Sequence, residues 1–184
     1  MEQHWLGILG NLYQEQARGE EAGRAYERAL SIARKTGDRG AMGLWHNNLS
    51  LLAIERGQWD DAERHVEEAQ QLLSHTTAED AQLFPLVNAA RIALWRGQNG
   101  AAKTLLDRVL SSAFQDPTPV LDARVIAAEL GARTGDAAGA ERHFRAALDL
   151  VESRRAGLRA DSNKLSYLAG GIRFYRSYVS FLMR

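Results

Sequence analysis

The sequence RGQWDDAERHVEEA, residues 56–69, contains a pattern that recurs along the chain. Within it, Gly57 is followed by Ala62, and then by Val66 and Ala69. The same frame occurs three more times at a nearly constant interval, which places its alanines at Ala22, Ala62, Ala102 and Ala140. A period of this size, with one turn and two helical patterns per copy, is typical of helix pairs stacked in a solenoid.

Each position of the frame has a physical explanation. The glycine predicts the end of a first helix, because glycine adopts a left-handed backbone without a Cβ clash, and the acidic or amide residue after it is expected to start the second helix. The small alanine lies where the two helices of a pair are expected to cross closely. Residues four and seven positions later share one face, which we expect to contact the neighbouring repeat. They are Tyr26, Ala29, Val66, Ala69, Leu106, Val109, Phe144 and Ala147.

The frame predicts an all-α fold, a right-handed α-solenoid of four helix hairpins followed by a C-terminal helix. The repeats are expected at about 3–36, 37–76, 77–116 and 117–156, the final helix at about 162–183, and a single domain over residues 1–184. Trp45 occupies the position of Trp5 one repeat later, which supports the register independently. A proline inside a helix costs about 3 kcal/mol, so Pro85 predicts either a helix start near Leu83 or a kink.

Composition excludes several classes of function. Lysine plus arginine and aspartate plus glutamate both number 23, so no net field would attract nucleic acid or an anionic membrane. No apolar run approaches the length of a membrane-spanning helix, and the chain does not open on a signal-like core. We therefore expect a cytoplasmic protein that binds neither nucleic acid nor membrane. The chain contains no cysteine, which excludes disulfides and thiolate chemistry within these residues.

The sequence offers no motif for catalysis. Its five histidines lack the spacing of metal ligands, and there is neither a Gly-x-Ser-x-Gly turn nor a glycine-rich phosphate loop. Acidic pairs such as Asp60-Asp61 stand at predicted helix starts, where they favour the helix dipole. We expect no catalytic residue, no metal and no cofactor, and hence a protein that is not an enzyme.

At the frame residues the chain resembles the tetratricopeptide repeat family, in its long-repeat form, from about Gln3 to Val151. Ala-Glu-Arg-His at 62–65 recurs at 140–143, while Ala17 replaces the usual helix-ending glycine in the first copy. The resemblance implies that the first helices line a concave groove for a protein or peptide ligand. The candidate groove residues are Asn11, Asn47, Asn48, Asn88, Arg91, Trp95 and Arg133. Asparagine can donate to and accept from a peptide backbone, arginine can pair with acidic groups, and Trp95 offers an apolar platform.

Residues 147–158, 167–169 and 174–182 are similar to the segment that precedes the caspase-like CHAT peptidase domain of bacterial repeat proteins. This resemblance implies a peptidase domain further along the same polypeptide, for which the repeats would sense or recruit. Two other settings fit the same repeats: the ligand-sensing region of a bacterial transcription regulator, and a scaffold that self-associates through the apolar stripe from Leu165 to Met183. The sequence leaves the partner and the oligomeric state open.

Overall fold

The computed structural model describes residues 2–76, 79–112, 117–157, 178–179 and 181–183. Within these ranges the fold is all-α, as the frame predicts, with a short 3-10 helix at Glu79–Gln82 and no β-strand. The α-helices are α1 (Glu2–Glu15), α2 (Gly19–Thr36), α3 (Arg39–Glu55), α4 (Trp59–Leu73), α5 (Leu83–Trp95), α6 (Asn99–Leu110), α7 (Pro117–Thr134) and α8 (Ala137–Gly157). The start of α5 at Leu83 confirms the boundary that Pro85 predicts.

The chain divides into two compact units, Met1–Arg96 and Gly97–Arg184. In the first unit α1 with α2, and α3 with α4, form helix hairpins, α2 packs on α3, and α5 packs on both α3 and α4. In the second unit α7 and α8 form a hairpin, and α6 packs on α7. In each unit, helices therefore pack on their neighbours in the sequence, as in a helical solenoid. The single domain predicted over residues 1–184 stays a prediction.

Left-handed residues close the first helices of the pairs where the frame places its glycine. Gly57, Gly97 and Gly135 follow α3, α5 and α7 with φ angles of 70°, 74° and 84°. Ala17 follows α1 with a φ of 58°, and among the described residues no other non-glycine residue has a positive φ. The first copy thus makes the same turn without glycine, at the steric cost that a Cβ brings to this conformation.

Acidic residues cap helix starts as expected, but glutamines do not. The Asp38 carboxylate accepts a hydrogen bond from the Ala41 backbone at 3.0 Å, and the Asp136 carboxylate accepts one from Gly139 at 2.8 Å. Gln58 and Gln98 hold the N-cap positions of α4 and α6, yet neither side chain makes a cap hydrogen bond. Both amides therefore start the second helix as predicted but do not cap it with the side chain, because the shorter Asp, Asn, Ser and Thr side chains reach the first-turn amides best.

The repeated face is buried, and in the first unit it meets the next repeat, as predicted. The four frame alanines are fully buried, and the residues four and seven positions after them are almost fully buried. Tyr26 and Ala29 of α2 share a core cluster with Trp45 and Leu49 of α3, and Val66 of α4 shares one with Ile92 of α5. Burial of this kind contributes about 25 cal/mol per Å² of apolar surface.

The end of the second unit is covered by residues near the C-terminus. The ring of Phe144 on α8 lies 5.1 Å from that of Tyr178 and 5.2 Å from that of Phe181, between ring centres. Both rings belong to the cluster that Phe144 forms with Ala147 and Val151. Most of the final helix predicted at about 162–183 lies outside the described residues.

Glycines allow close contacts between first helices and their neighbours. A Cβ placed on Gly7 of α1 would lie 2.1 Å from a ring carbon of Trp45 on α3, far inside van der Waals contact. On α7, a Cβ at Gly131 would lie 3.0 Å from the backbone nitrogen of Ala140, one of the frame alanines. The second contact confirms the close crossing that the frame predicts for α7 and α8.

Candidate protein-binding surface

In the unit Met1–Arg96 the first helices α1, α3 and α5 lie side by side, joined by polar contacts between consecutive helices. The Asn48 side chain on α3 donates to Asn11 Oδ1 on α1 at 3.4 Å, and Gln14 of α1 donates to Glu55 of α3 at 3.0 Å. Asn88 of α5 donates to Asn47 Oδ1 of α3 at 3.0 Å. Four of the predicted groove residues thus occur in two contacting pairs.

Asn11 is exposed and held in a fixed orientation. Its Oδ1 lies 2.7 Å from the hydroxyl of Tyr26, whose side chain is fully buried beneath it. Burial raises the pKa of Tyr26, so the hydroxyl remains protonated and can donate. Asn48, half-buried, completes the pair. The two amides form a pre-ordered polar spot on the surface of α1 and α3.

Asn47 and Asn88 lie inside the fold, 7% and 6% exposed. Besides its bond to Asn47, Asn88 Nδ2 donates to Ser50 Oγ at 2.9 Å, and the Ser50 hydroxyl lies 2.6 Å from the Asn47 carbonyl oxygen. These contacts satisfy buried amides that would otherwise cost free energy. The two asparagines therefore join α3 to α5 and do not form part of an exposed wall.

Arg91 and Trp95 continue the surface on α5. Arg91 is half-buried, and its buried Nε has no hydrogen-bond partner among the residues that the structure describes. Trp95 is 51% exposed and stacks on Trp59 of α4, with ring centres 4.4 Å apart and planes 14° from parallel. Arg133 is exposed on α7 and belongs to the second unit. Asn11, Asn48, Arg91 and Trp95 are thus the candidates that present surface within one unit.

A histidine pair, which the sequence did not reveal, links α3 to α4. The Nδ1 atoms of His46 and His65 are 2.9 Å apart, so one ring donates to the other. Burial lowers the pKa of His46 to about 4, assisted by Arg34 and Arg64, and lowers the pKa of His65 to about 4, assisted by His46 and Arg64. Both rings are therefore neutral near pH 7.

The same spacing along the chain joins Arg124 and His143 in the second unit, at 3.4 Å. The two contacts therefore occupy equivalent positions of the repeat, between the first and second helix of a pair. Among the described residues, no group of three or more histidine, cysteine, aspartate or glutamate side chains is placed to hold a metal ion.

Helix pairs that recur at a nearly constant interval, with small residues at the crossings, define a helical-repeat protein. Residues 1–74, the first two hairpins, match the family model described as tetratricopeptide repeat. Over 86% of its length the chain has the fold of BtubC (BKLC) from P. vanneervenii, with a TM-score of 0.65 and 18% sequence identity. The chain spans 66% of the length of that protein. No curated protein matches the sequence.

The repeat match indicates a general role. Tetratricopeptide repeats generally mediate protein–protein interactions or scaffolding. No described helix is both long and apolar enough to cross a bilayer. The similarity to the region before CHAT peptidase domains falls partly on residues outside the described ranges, and it stays a prediction.

Proposed function

We propose that the chain is a protein-binding module that takes an extended peptide segment of its partner across the exposed side of α1, α3 and α5. The observation that carries the proposal is the contact of Asn11 with Asn48, which places two amides at the surface in a fixed orientation. Amides can donate to and accept from a peptide backbone at once, and fixed groups lose less entropy on binding. Arg91 would add a charged contact to an acidic or carbonyl oxygen of the ligand.

A peptide library tests this function without knowledge of the natural partner. Random peptides displayed on phage are selected on the wild-type chain, and the enriched peptides are then measured against the double variant Asn48→Ala, Arg91→Ala. We expect binding to weaken by about tenfold or more, as for the loss of two polar contacts of about 1 kcal/mol each. The matched control is Arg28→Ala, Gln71→Ala, which changes two exposed residues of second helices. Equal binding by the double variant and the control would refute the surface.

The setting of this module is part of the proposal. We infer that it serves as the recognition part of a larger protein that carries a CHAT-type peptidase domain, and the similarity of residues 147–158 and 174–182 supports this. A cysteine–histidine peptidase encoded downstream in the same gene is the expected finding. A DNA-binding segment there instead would place the repeats in a transcription regulator.

Self-association is a second candidate, favoured by an apolar row on α1. Trp5, Ile8, Leu9 and Leu12 follow helical spacing and are all exposed. The counterparts of Trp5, Leu9 and Leu12 one repeat later are Trp45, Leu49 and Leu52, which are buried against helices of this same chain, so a similar helix from a second copy is the occupant that fits. Light scattering should then show a dimer that Leu9→Glu dissociates, and a monomer at every concentration would exclude this candidate.

A further inference from the structure

A cleft opens at the edge of the first unit, where the turn after α3 meets the end of α5. It is lined by Gly57, Gln58, Trp59, Asp60, Asp61 and Trp95, and its volume is about 330 Å³. This lies at the lower end of the range found for small-ligand pockets, and it is enough for one long side chain. None of the six lining residues is positively charged.

Two of the lining residues are tryptophans, and neither has an aromatic counterpart in the first hairpin. Trp95 stands where the earlier first helices have Glu15 and Glu55, and Trp59 stands where the first hairpin has Gly19. Trp59 stacks on one face of the Trp95 indole, and Trp95 is still 51% exposed, so part of its surface is open to solvent. The face of an indole attracts cations through its ring quadrupole.

Two carboxylates also line the cleft. The Asp60 side chain is fully exposed, although it lies 3.0 Å from Arg96, which also contacts Glu63 at 2.6 Å. Asp61 is 56% exposed and lies 2.8 Å from Arg64. Such exposed ion pairs contribute little free energy, so an incoming cation can share these oxygens.

We propose that this cleft binds the side chain of an arginine or lysine from a protein partner, stacked on Trp95 and paired with Asp60 and Asp61. An anionic ligand is disfavoured because the two carboxylates would repel it, in spite of the helix start beside them. The inference rests on the proposed function, since it names one side chain that the bound polypeptide would present. The cleft differs from the amide spot of Asn11 and Asn48 in residues and in chemistry.

The tryptophan indole N–H signals of the full chain, labelled with ¹⁵N, provide the test. The chain has four tryptophans, of which Trp5 and Trp45 serve as internal controls. The probe is N-acetyl-arginine amide, compared with N-acetyl-citrulline amide, which has the same shape without the charge. We expect the arginine probe to move the Trp59 and Trp95 signals and leave the other two in place, with an affinity about three- to fivefold above that of the citrulline probe.

Two variants separate the cleft from general effects. Asp60→Asn with Asp61→Asn should weaken the arginine probe by about three- to fivefold, whereas Asp107→Asn, an exposed carboxylate of α6 paired with Lys103, should leave it unchanged. Equal response to both probes, movement of all four indoles alike, or full binding by the double variant would overturn the proposal. A response to N-acetyl-glutamate amide would assign the cleft to anions instead.

The two proposals fail separately. If binding of the library peptides does not depend on Asn48 and Arg91, but binding of the arginine probe requires Asp60 and Asp61, only the proposed amide surface is wrong. If the peptides depend on Asn48 and Arg91 while the probe ignores the carboxylates, only the cleft is wrong.

Discussion

Two rows of side chains, one repeat apart, contain the same residue types but differ in solvent exposure. Trp5, Leu9 and Leu12 on α1 are 68%, 38% and 47% exposed, whereas Trp45, Leu49 and Leu52 on α3 are 9%, 7% and 4% exposed. Residue type and spacing are the same in both helices. The difference is that the hairpin of α1 and α2 precedes α3 and covers its row, so burial in this protein is a property of the neighbouring repeat.

The largest expected effect compares the two rows directly. Leu49→Ala should destabilise the fold by about 2–5 kcal/mol, because it leaves a cavity between α3 and the preceding hairpin. Leu9→Ala should cost less than about 1 kcal/mol, because solvent already reaches that side chain. Urea unfolding followed by circular dichroism gives both values. Similar losses for the two variants would mean that the α1 row is covered in solution, which supports self-association.

The next largest effect is the pH dependence of stability that we expect from the histidine pair. The equivalent positions of the first hairpin hold Leu6 and Ala25, which do not titrate. The pKa of each histidine is lower in the fold, about 4, than its usual 6.5, so the unfolded chain binds more protons between these values. Stability should therefore be full above about pH 6.5 and fall as the pH drops toward 4, by roughly 3 kcal/mol for one histidine.

Urea unfolding at several pH values between about 7 and 5, where carboxylates stay ionised, follows this effect, to which His143 adds because burial lowers its pKa as well. The variant His46→Leu, His65→Ala installs the pair found in the first hairpin and should remove most of the slope. Arg34, Arg64, Asp61 and Glu68 also act on the pair and remain in place in that variant. An unchanged slope would assign the pH dependence to other groups.

A smaller effect separates buried from exposed asparagines. Asn88→Ala should cost about 1–3 kcal/mol, because Asn47 Oδ1 and Ser50 Oγ lose their donor inside the fold. Asn48→Ala, at the surface contact with Asn11, should change stability by less than about 1 kcal/mol. Thermal unfolding distinguishes the two, and the reverse order would contradict the assignment of Asn88 to the core.

Much of the fold could be predicted from the sequence, because the frame occurs four times and each copy predicts the same helix pair. The frame placed the left-handed turns at Gly57, Gly97 and Gly135 and the small buried residues that face the next helix, whereas the turn at Ala17, a departure from the frame, came from the structure. Pro85 placed the start of α5 at Leu83. Gln58 and Gln98 start α4 and α6 as predicted, although neither side chain makes a cap bond.

The surface was harder to predict. Helical periodicity gives the direction of a side chain but not its partners. Asn47 and Asn88 were therefore grouped with Asn11 and Asn48, although both are buried and contact Ser50 inside the fold. The Trp59–Trp95 stack and the His46–His65 pair join different helices. Two signals were available for them: Trp59 and Trp95 both break the repeat, and His46 with His65 repeats the spacing of Arg124 with His143.

The most direct test of repeat stacking is a double-mutant cycle between Gly7 of α1 and Trp45 of α3. Gly7→Ala should cost about 1–3 kcal/mol in the wild-type chain, because its methyl group would lie against the Trp45 ring. In the background of Trp45→Ala the same change should cost almost nothing, which gives a coupling free energy of about 1–3 kcal/mol between two consecutive repeats. A coupling of zero would show that α1 does not pack on α3 and would contradict the account.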